Sequence, residues 1–361
     1  MKKSVWISMI VAAACIVAGV ACMAVGHVMG GHRNLVEAQT PLAATQFTPE
    51  GNFDSVTVDT IAANVSFVYA EDGVCRVEVR DRESITYTAE IMDNTLLIRA
   101  EDHRSWWDHI QFFGTSQNPT VTVYLPAKSL KSLSVDVASG DVSVPRDFTF
   151  SGNVELSSNS GDLTLLASVE GDTSLETTTG DITVEGKHKT VTAAATTGDI
   201  TLRHVDAKEL TVSVTTGSIH VQKAVAVAVT AVAGTGDVIL EDVITDDAIR
   251  VTTTTGDQQL LRVLCGSMTL RAGSGCVTLT ESVTLGHAAV KTTTGDVTFV
   301  RSDAVTLSVD VTTGDVTGSL LTPKIFSVAS TSGSVNVPRS SVGGLCEIKT
   351  TSGSVRITIE E

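Results

Sequence analysis

Residues 174–184 read SLETTTGDITV: hydroxyl residues, a glycine, an aspartate, then an aliphatic residue, with small or apolar side chains alternating on both sides. The phrase returns as AATTGDITL (194–202), VTTTTGDQQL (251–260), KTTTGDVTF (291–299) and VTTGDVTG (311–318). Twelve marker glycines carry it: Gly140, Gly161, Gly180, Gly198, Gly217, Gly236, Gly256, Gly275, Gly295, Gly314, Gly333 and Gly353, spaced 18 to 21 residues apart. So regular a period marks a stack of like units, each too small to bury a core of its own.

Counting outward from each glycine gives the unit. The residue before it is Ser or Thr at all twelve positions, and the second residue after it is Val, Leu or Ile except at Gln258. Four after it stand residues such as Val184, Leu202, Val221 and Leu240; five before it stand Leu175, Ala193, Val212 and Ala231. Period-two alternation on both sides of a turn predicts strand, Gly turn, strand. Stacked in parallel, the units align their aliphatic positions in columns inside a narrow core. Coils about 4.8 Å apart over eleven steps make a rod of roughly 50 Å. The period is neither that of a hexapeptide helix nor of a propeller blade, and with one Gly turn per unit it is not a calcium-binding nonapeptide roll. The expected fold is all-β, a parallel β-solenoid of about twelve coils of 19–20 residues, of either hand, preceded by one transmembrane helix.

Composition agrees. Aromatic residues are only 4% of 361, poor for a globular core and ordinary for a solenoid of Val, Leu, Ile and Thr. The net charge is −16; Lys2 and Lys3 are the only charges in residues 1–30, leaving 23 basic against 41 acidic residues in the remainder. An acidic rod repels phosphate backbones, so nucleic acid is not an expected partner. Basic proteins, cationic peptides and divalent cations are electrostatically suited. The six cysteines lack metal-site spacing and read as small buried apolar residues rather than a disulfide framework.

In chain order, Lys2 and Lys3 precede Val5–Val25, twenty-one residues without charge. That run is long enough to span a bilayer, and the flanking lysines place the N-terminus in the cytoplasm and the rest outside. A cleaved signal peptide is the competing reading, with a shorter apolar core as its usual mark. Residues 1–30 are thus expected to form a cytoplasmic stub and anchor, 31–50 a spacer, 51–126 a β-rich N-terminal cap, and 127–361 the repeats. The last repeat ends on Glu360 and Glu361, two acids expected to guard an edge strand against end-to-end stacking.

Two features are candidates for function. Trp106, Trp107, Phe112 and Phe113 crowd into eight residues, with His103 just before them and His109 among them, either a contact loop for a ligand or membrane, or a plug over the solenoid end. Eight post-glycine positions are Asp, and stacking places Asp141, Asp162, Asp181 and Asp199 in one column. Neighbouring carboxylates at that spacing repel by about 1 kcal/mol in water. Either divalent cations bridge them, or, as we favour, each Asp bonds its own turn backbone. Polysaccharide-cleaving β-helix enzymes need acids, Arg or Lys and long loops that build a cleft. Here no unit carries an insertion and no nucleophile elbow or phosphate-binding loop occurs, so no catalytic residue and no cofactor is assigned.

With the apolar N-terminal run, the stretch LPAKSLKSLSVDVASGDVSV (125–144) and the TTTGDI-type coils, residues 50–361 resemble the bacterial "putative adhesin" family, a domain of unknown function built as a Gly-Asp-rich β-solenoid and common in Gram-positive bacteria. The resemblance implies a cell-envelope protein; some similar proteins belong to systems that respond to membrane-active antibiotics. It carries over no catalytic residues. The expectation is a non-enzymatic, membrane-anchored, single-pass protein whose extracellular rod serves as a surface adhesin or interaction scaffold, meeting a surface or envelope protein. The alternative is an envelope-stress sensor responding to cationic agents, and the least favoured is a carbohydrate-active enzyme.

Overall fold

The computed structural model describes residues 42–81, 85–103 and 119–360, and these are strands and turns without a helix. The apolar run at residues 5–25 and the helix expected of it lie outside the described residues.

Through the middle of the rod the chain climbs one coil at a time. Residues 190–197 pair in parallel with 209–216, which pair with 228–235. Leu175, Ala193, Val212 and Ala231 follow one another in register and are at most 1% exposed. The alternation therefore buries one face of every strand against the opposite sides of the same coil, and each coil's backbone groups are satisfied by its neighbours. The columns expected from the marker glycines stand as read.

The glycine corners need glycine twice over. Gly198 has φ +137°, and a Cβ there would lie 2.0 Å from the Gly180 carbonyl oxygen. The same approach recurs up the column, so the twelve glycines are in vertical register. A second corner, unmarked by glycine, follows six residues later. His204, Lys223, Asp242, Arg262, Glu281 and Arg301 hold φ between 49° and 53°, a region non-glycine residues seldom enter. Four of these pair along the corner: Arg262 donates to Asp242 at 2.5 and 3.0 Å, and Arg301 lies 3.6 Å from Glu281.

Both ends depart from chain order. At the N-terminal end lie β1 (Ala43–Phe47), β2 (Ser55–Thr60), β3 (Asn64–Tyr69), β4 (Arg76–Asp81), β5 (Ile85–Met92), β6 (Thr95–Asp102) and β7 (Thr120–Leu125). β2 and β3 pair in parallel with Ser132–Val137 and Val142–Val144, so they form a coil that lacks the marker glycine. Ala63 stands at its corner, with its carbonyl where a Cβ on Gly140 would fall. β6 and β7 pair in parallel on the far side of β2 and β3. The chain thus goes outward and returns before joining the stack. Antiparallel strands complete this end, β5 on β6, β4 on β7 and β1 on β4. The segment 51–126 therefore supplies parallel coils as well as antiparallel capping strands, and β1 adds to them part of the 31–50 stretch expected to be a spacer.

At the C-terminal end the final repeat does not lie outermost, contrary to the expectation for Glu360 and Glu361. Gly344–Ser352 pairs on one side with Val297–Thr313 and on the other with Lys324–Ser332. The Gly353 coil is inserted between the Gly314 and Gly333 coils, and a Cβ on Gly333 would meet the Gly353 carbonyl at 2.0 Å. Val355 and Ile357 of the inserted coil are 1% and 2% exposed. The equivalent Val335 of the outer coil is 47% exposed, and Phe326, Val328 and Val337 are only partly covered. A buried ion pair ties the exchange together. Lys324 Nζ lies 2.7 Å from Asp303 and donates to the Ala304 carbonyl and the Thr322 hydroxyl at 2.6 and 2.8 Å.

Candidate functional site

The column of carboxylates resolves into a ladder between coils. Asp162 N–H donates to Asp141 Oδ1 at 2.9 Å, Asp181 N–H to Asp162 Oδ1 at 2.8 Å, and Asp199 N–H to Asp181 Oδ1 at 2.7 Å. The acceptor thus serves the next coil, not its own turn, which corrects the local Asx-type bond favoured from sequence. Asn64 begins the ladder by accepting from Asp141 N–H at 3.0 Å. Ser218 continues it more weakly at 3.3 Å, and Cys276 N–H is held by Asp257 Oδ1 at 2.8 Å. A charge-assisted bond donated by a backbone N–H to each carboxylate offsets repulsion along the column. Among the described residues no group of three or more His, Cys, Asp or Glu is placed to hold a metal ion.

A shallow depression of about 410 Å³ lies on the third side of the coil, lined by Ser168, Glu170, Lys187, His188, Lys189 and Lys208 among others. Its one buried titratable group is already committed. His188 Nε2–H donates to the Glu185 carbonyl at 3.0 Å, and Nδ1 accepts from the Thr173 hydroxyl at 3.0 Å. Burial pushes this imidazole below its ordinary pKa, so it stays neutral and has no free lone pair for proton transfer. Lys189 bonds Asp172 at 3.1 Å and holds that carboxyl below the usual range, and Lys187 lies 3.8 Å from Asp206. The geometry suits weak ion pairing at a wet surface rather than acid–base chemistry.

The same side changes character beyond this point. Its outward column runs Lys187, Asp206, Val225, Ile244, Leu264 and Val283, each paired in register with the next, and ends at Asp303, whose side chain is buried against Lys324. Val225, Ile244 and Leu264 are 51%, 47% and 38% exposed, and Val227, Leu285 and Val305 add to the stripe two positions on. Lysines and carboxylates thus give way to aliphatic side chains on one face. The sequence signal lies eight and ten residues after each glycine, and reading outward only five residues misses it.

Trp106, Trp107, Phe112, Phe113 and His109 lie outside the described residues; His103 is exposed. Of the described cysteines, Cys75, Cys265 and Cys346 are buried as read, with burial pushing the Cys75 and Cys346 thiols up to about 11 and about 12. Cys276 is exposed.

Among curated proteins none matches the chain. Its backbone is similar to the crystal structure of a "putative adhesin" from Bacteroides fragilis NCTC 9343, at 13% identity and a TM-score of 0.34, over 88% of this chain and 97% of that one. It is similar to a second "putative adhesin", from Parabacteroides distasonis ATCC 8503, at 12% identity and 0.36, over 85% and 97% of the two chains. A "putative lipid binding protein" from the same organism is similar at 13% identity and 0.33, over 78% and 97%. The family model described as Toastrack DUF4097 matches residues 53–262, 185–303 and 229–361, and on that match the chain belongs to the Toastrack DUF4097 family.

Proposed function

We propose that this protein is a membrane-anchored interaction scaffold, displayed on the outer side of the cell membrane, which acts by contact rather than by catalysis. The observation that carries this reading is the aliphatic stripe. A regular solenoid has no structural need for Val225, Ile244, Leu264 and Leu285 on its outer surface, where Thr and charged residues serve elsewhere. Val225, Ile244 and Leu264, exposed and paired in register, make a flat contact surface with Leu285 beside it, and the acidic body around them favours a cationic or basic partner at the rim. The uncharged run at residues 5–25 supplies the anchor in this reading.

Fractionation with protease accessibility on intact cells tests the placement: the rod is expected in the membrane fraction and open to external protease. Recovery as a soluble cytoplasmic protein would sink the proposal. The surface itself is tested by Leu264→Glu with Leu285→Glu. These substitutions are expected to abolish cell-surface or partner binding while moving the unfolding midpoint little, because both side chains are already exposed.

A further inference from the structure

We propose that the outermost coil at the C-terminal end is a self-association edge: the strand Lys324–Ser332 pairs antiparallel with the same strand of a second copy, joining two rods end to end about a two-fold axis. Among the described residues this strand is paired on one side only, with Gly344–Ser352. Its Ser332 carbonyl accepts from Gly353 N–H at 2.9 Å. Backbone groups alternate between the two sides of a strand, so those of Ile325, Ser327, Ala329 and Thr331 face away from the stack. Edge strands are ordinarily protected by charge, proline or a bulge. This one spans nine residues, and its only charged side chain, Lys324, is 4% exposed and held by Asp303. The opposite end of the rod, by contrast, carries antiparallel strands over its outer coils.

Charge selects the occupant. The chain carries 41 acidic residues, yet none lies between Asp315 and Glu347. Two acidic rods therefore repel each other least when they meet at this coil. Identical edges related by a two-fold axis run antiparallel, so the pairing is isologous and closes at a dimer. It would also cover Phe326, Val328 and Val337, the core positions left partly open. This inference does not depend on the scaffold reading, because it concerns the end of the rod rather than the stripe on its side.

The test is sedimentation velocity of the full chain in detergent micelles over a wide concentration range, with folding checked by circular dichroism. The wild type is expected to be a concentration-dependent dimer. Ser327→Lys with Ala329→Lys, and separately Ser327→Glu with Ala329→Glu, should each weaken the dimer about tenfold or more through like charges across the axis. An equimolar mixture of the two variants should recover the wild-type affinity. Ser327→Pro, which removes one outward N–H and adds no charge, should also weaken the dimer. A wild type that stays monomeric, a dimer indifferent to all three changes, or charge variants that fail to rescue each other would overturn the proposal. Indifference would include dimerisation through the N-terminal apolar run.

Discussion

The middle of the rod and its two ends are built from the same coil but obey different rules. In the middle, neighbours in sequence are neighbours in space, and one column of glycines sets the approach. At both ends the chain goes outward, turns and tucks a segment in behind: β2–β3 beneath β6–β7 at one end, and the Gly353 coil beneath the Gly333 coil at the other. The difference teaches that the columns fix how coils stack and not which coil stacks on which. Any coil with Gly, Ser or Thr and aliphatic residues at the right positions fits on any other. The order is settled where something other than the repeat intervenes.

The largest effect should come from the middle. Gly256→Ala places a Cβ 2.1 Å from the Gly236 carbonyl at φ +139°, with rigid backbone on both sides. We expect a loss of about 4 kcal/mol or more, read in chemical denaturation, and a transition that breaks into two as the halves uncouple. Gly73→Ala is the control outside the column. There φ is +71° and a Cβ would meet nothing within 4 Å, so about 1 kcal/mol is expected. Equal losses at the two sites would show that close approach is not what the column requires.

The next effect sharpens the contrast at the C-terminal end. Lys324→Ala would leave Asp303, 8% exposed, without its cation, and breaking one partner of a buried pair is destabilising by about 3–5 kcal/mol. Because the pair joins the outer coil to the coil of Val297–Thr313 across the inserted one, hydrogen exchange should accelerate over 324–336 and 344–359 while the middle stays protected. Lys324→Met with Asp303→Leu should restore most of the protection, since the site then needs no charge. Uniform acceleration along the rod would contradict a local lock.

What was legible in the sequence follows from the same contrast. The coil, its register, the buried columns and the parallel stack were all readable, because Leu175, Val212 and their equivalents must alternate to bury one face. The order of the ends was not, because the Gly333 and Gly353 repeats carry the same marker pattern. The signal was in the punctuation: residues 146–322 hold no proline, while Pro323 and Pro338 bracket the outer coil. Proline cannot donate to a ladder and so marks where the stack is interrupted. A lysine at position 324, in a strand otherwise free of charge, was the second sign. The second corner escaped notice because Arg262 and Asp242 turn there without glycine, held by their own ion pair. The aliphatic stripe escaped because alternation on a third, short side spans too few residues to read as a strand.

A smaller effect of opposite sign tests the column from within. Gln258 is the exception two residues after a marker glycine, paired in register between Val238 and Val277 and wholly buried. Its Nε2 donates to the Arg271 carbonyl at 2.7 Å and to the Thr253 hydroxyl at 3.0 Å, while Oε1 has no partner. Gln258→Ile removes an unsatisfied acceptor and restores the aliphatic column. Stability should rise by about 1 kcal/mol, measured as a shift in denaturation midpoint. A fall would mean that the two donated bonds outweigh the orphaned oxygen.

The smallest effect separates shape from charge in the aspartate ladder. Asp141, Asp162, Asp181 and Asp199 each offer Oδ1 to the post-glycine N–H of the next coil, and Asn64 does the same at the start of the column without a charge. If the acceptor alone matters, Asp199→Asn should be close to neutral, while Asp199→Ala should lose about 0.5–1 kcal/mol. Replacing all four by Asn would also relieve repulsion in a chain of net charge −16, so the variant should gain slightly at low salt and match the wild type at high salt. Calcium discriminates further. Cations bridging the carboxylates would stabilise the wild type and leave the fourfold variant unmoved, whereas carboxylates acting as acceptors for backbone N–H groups predict the same response from both. A calcium-dependent rise in the unfolding midpoint confined to the wild type would turn the ladder from a structural device into a binding site.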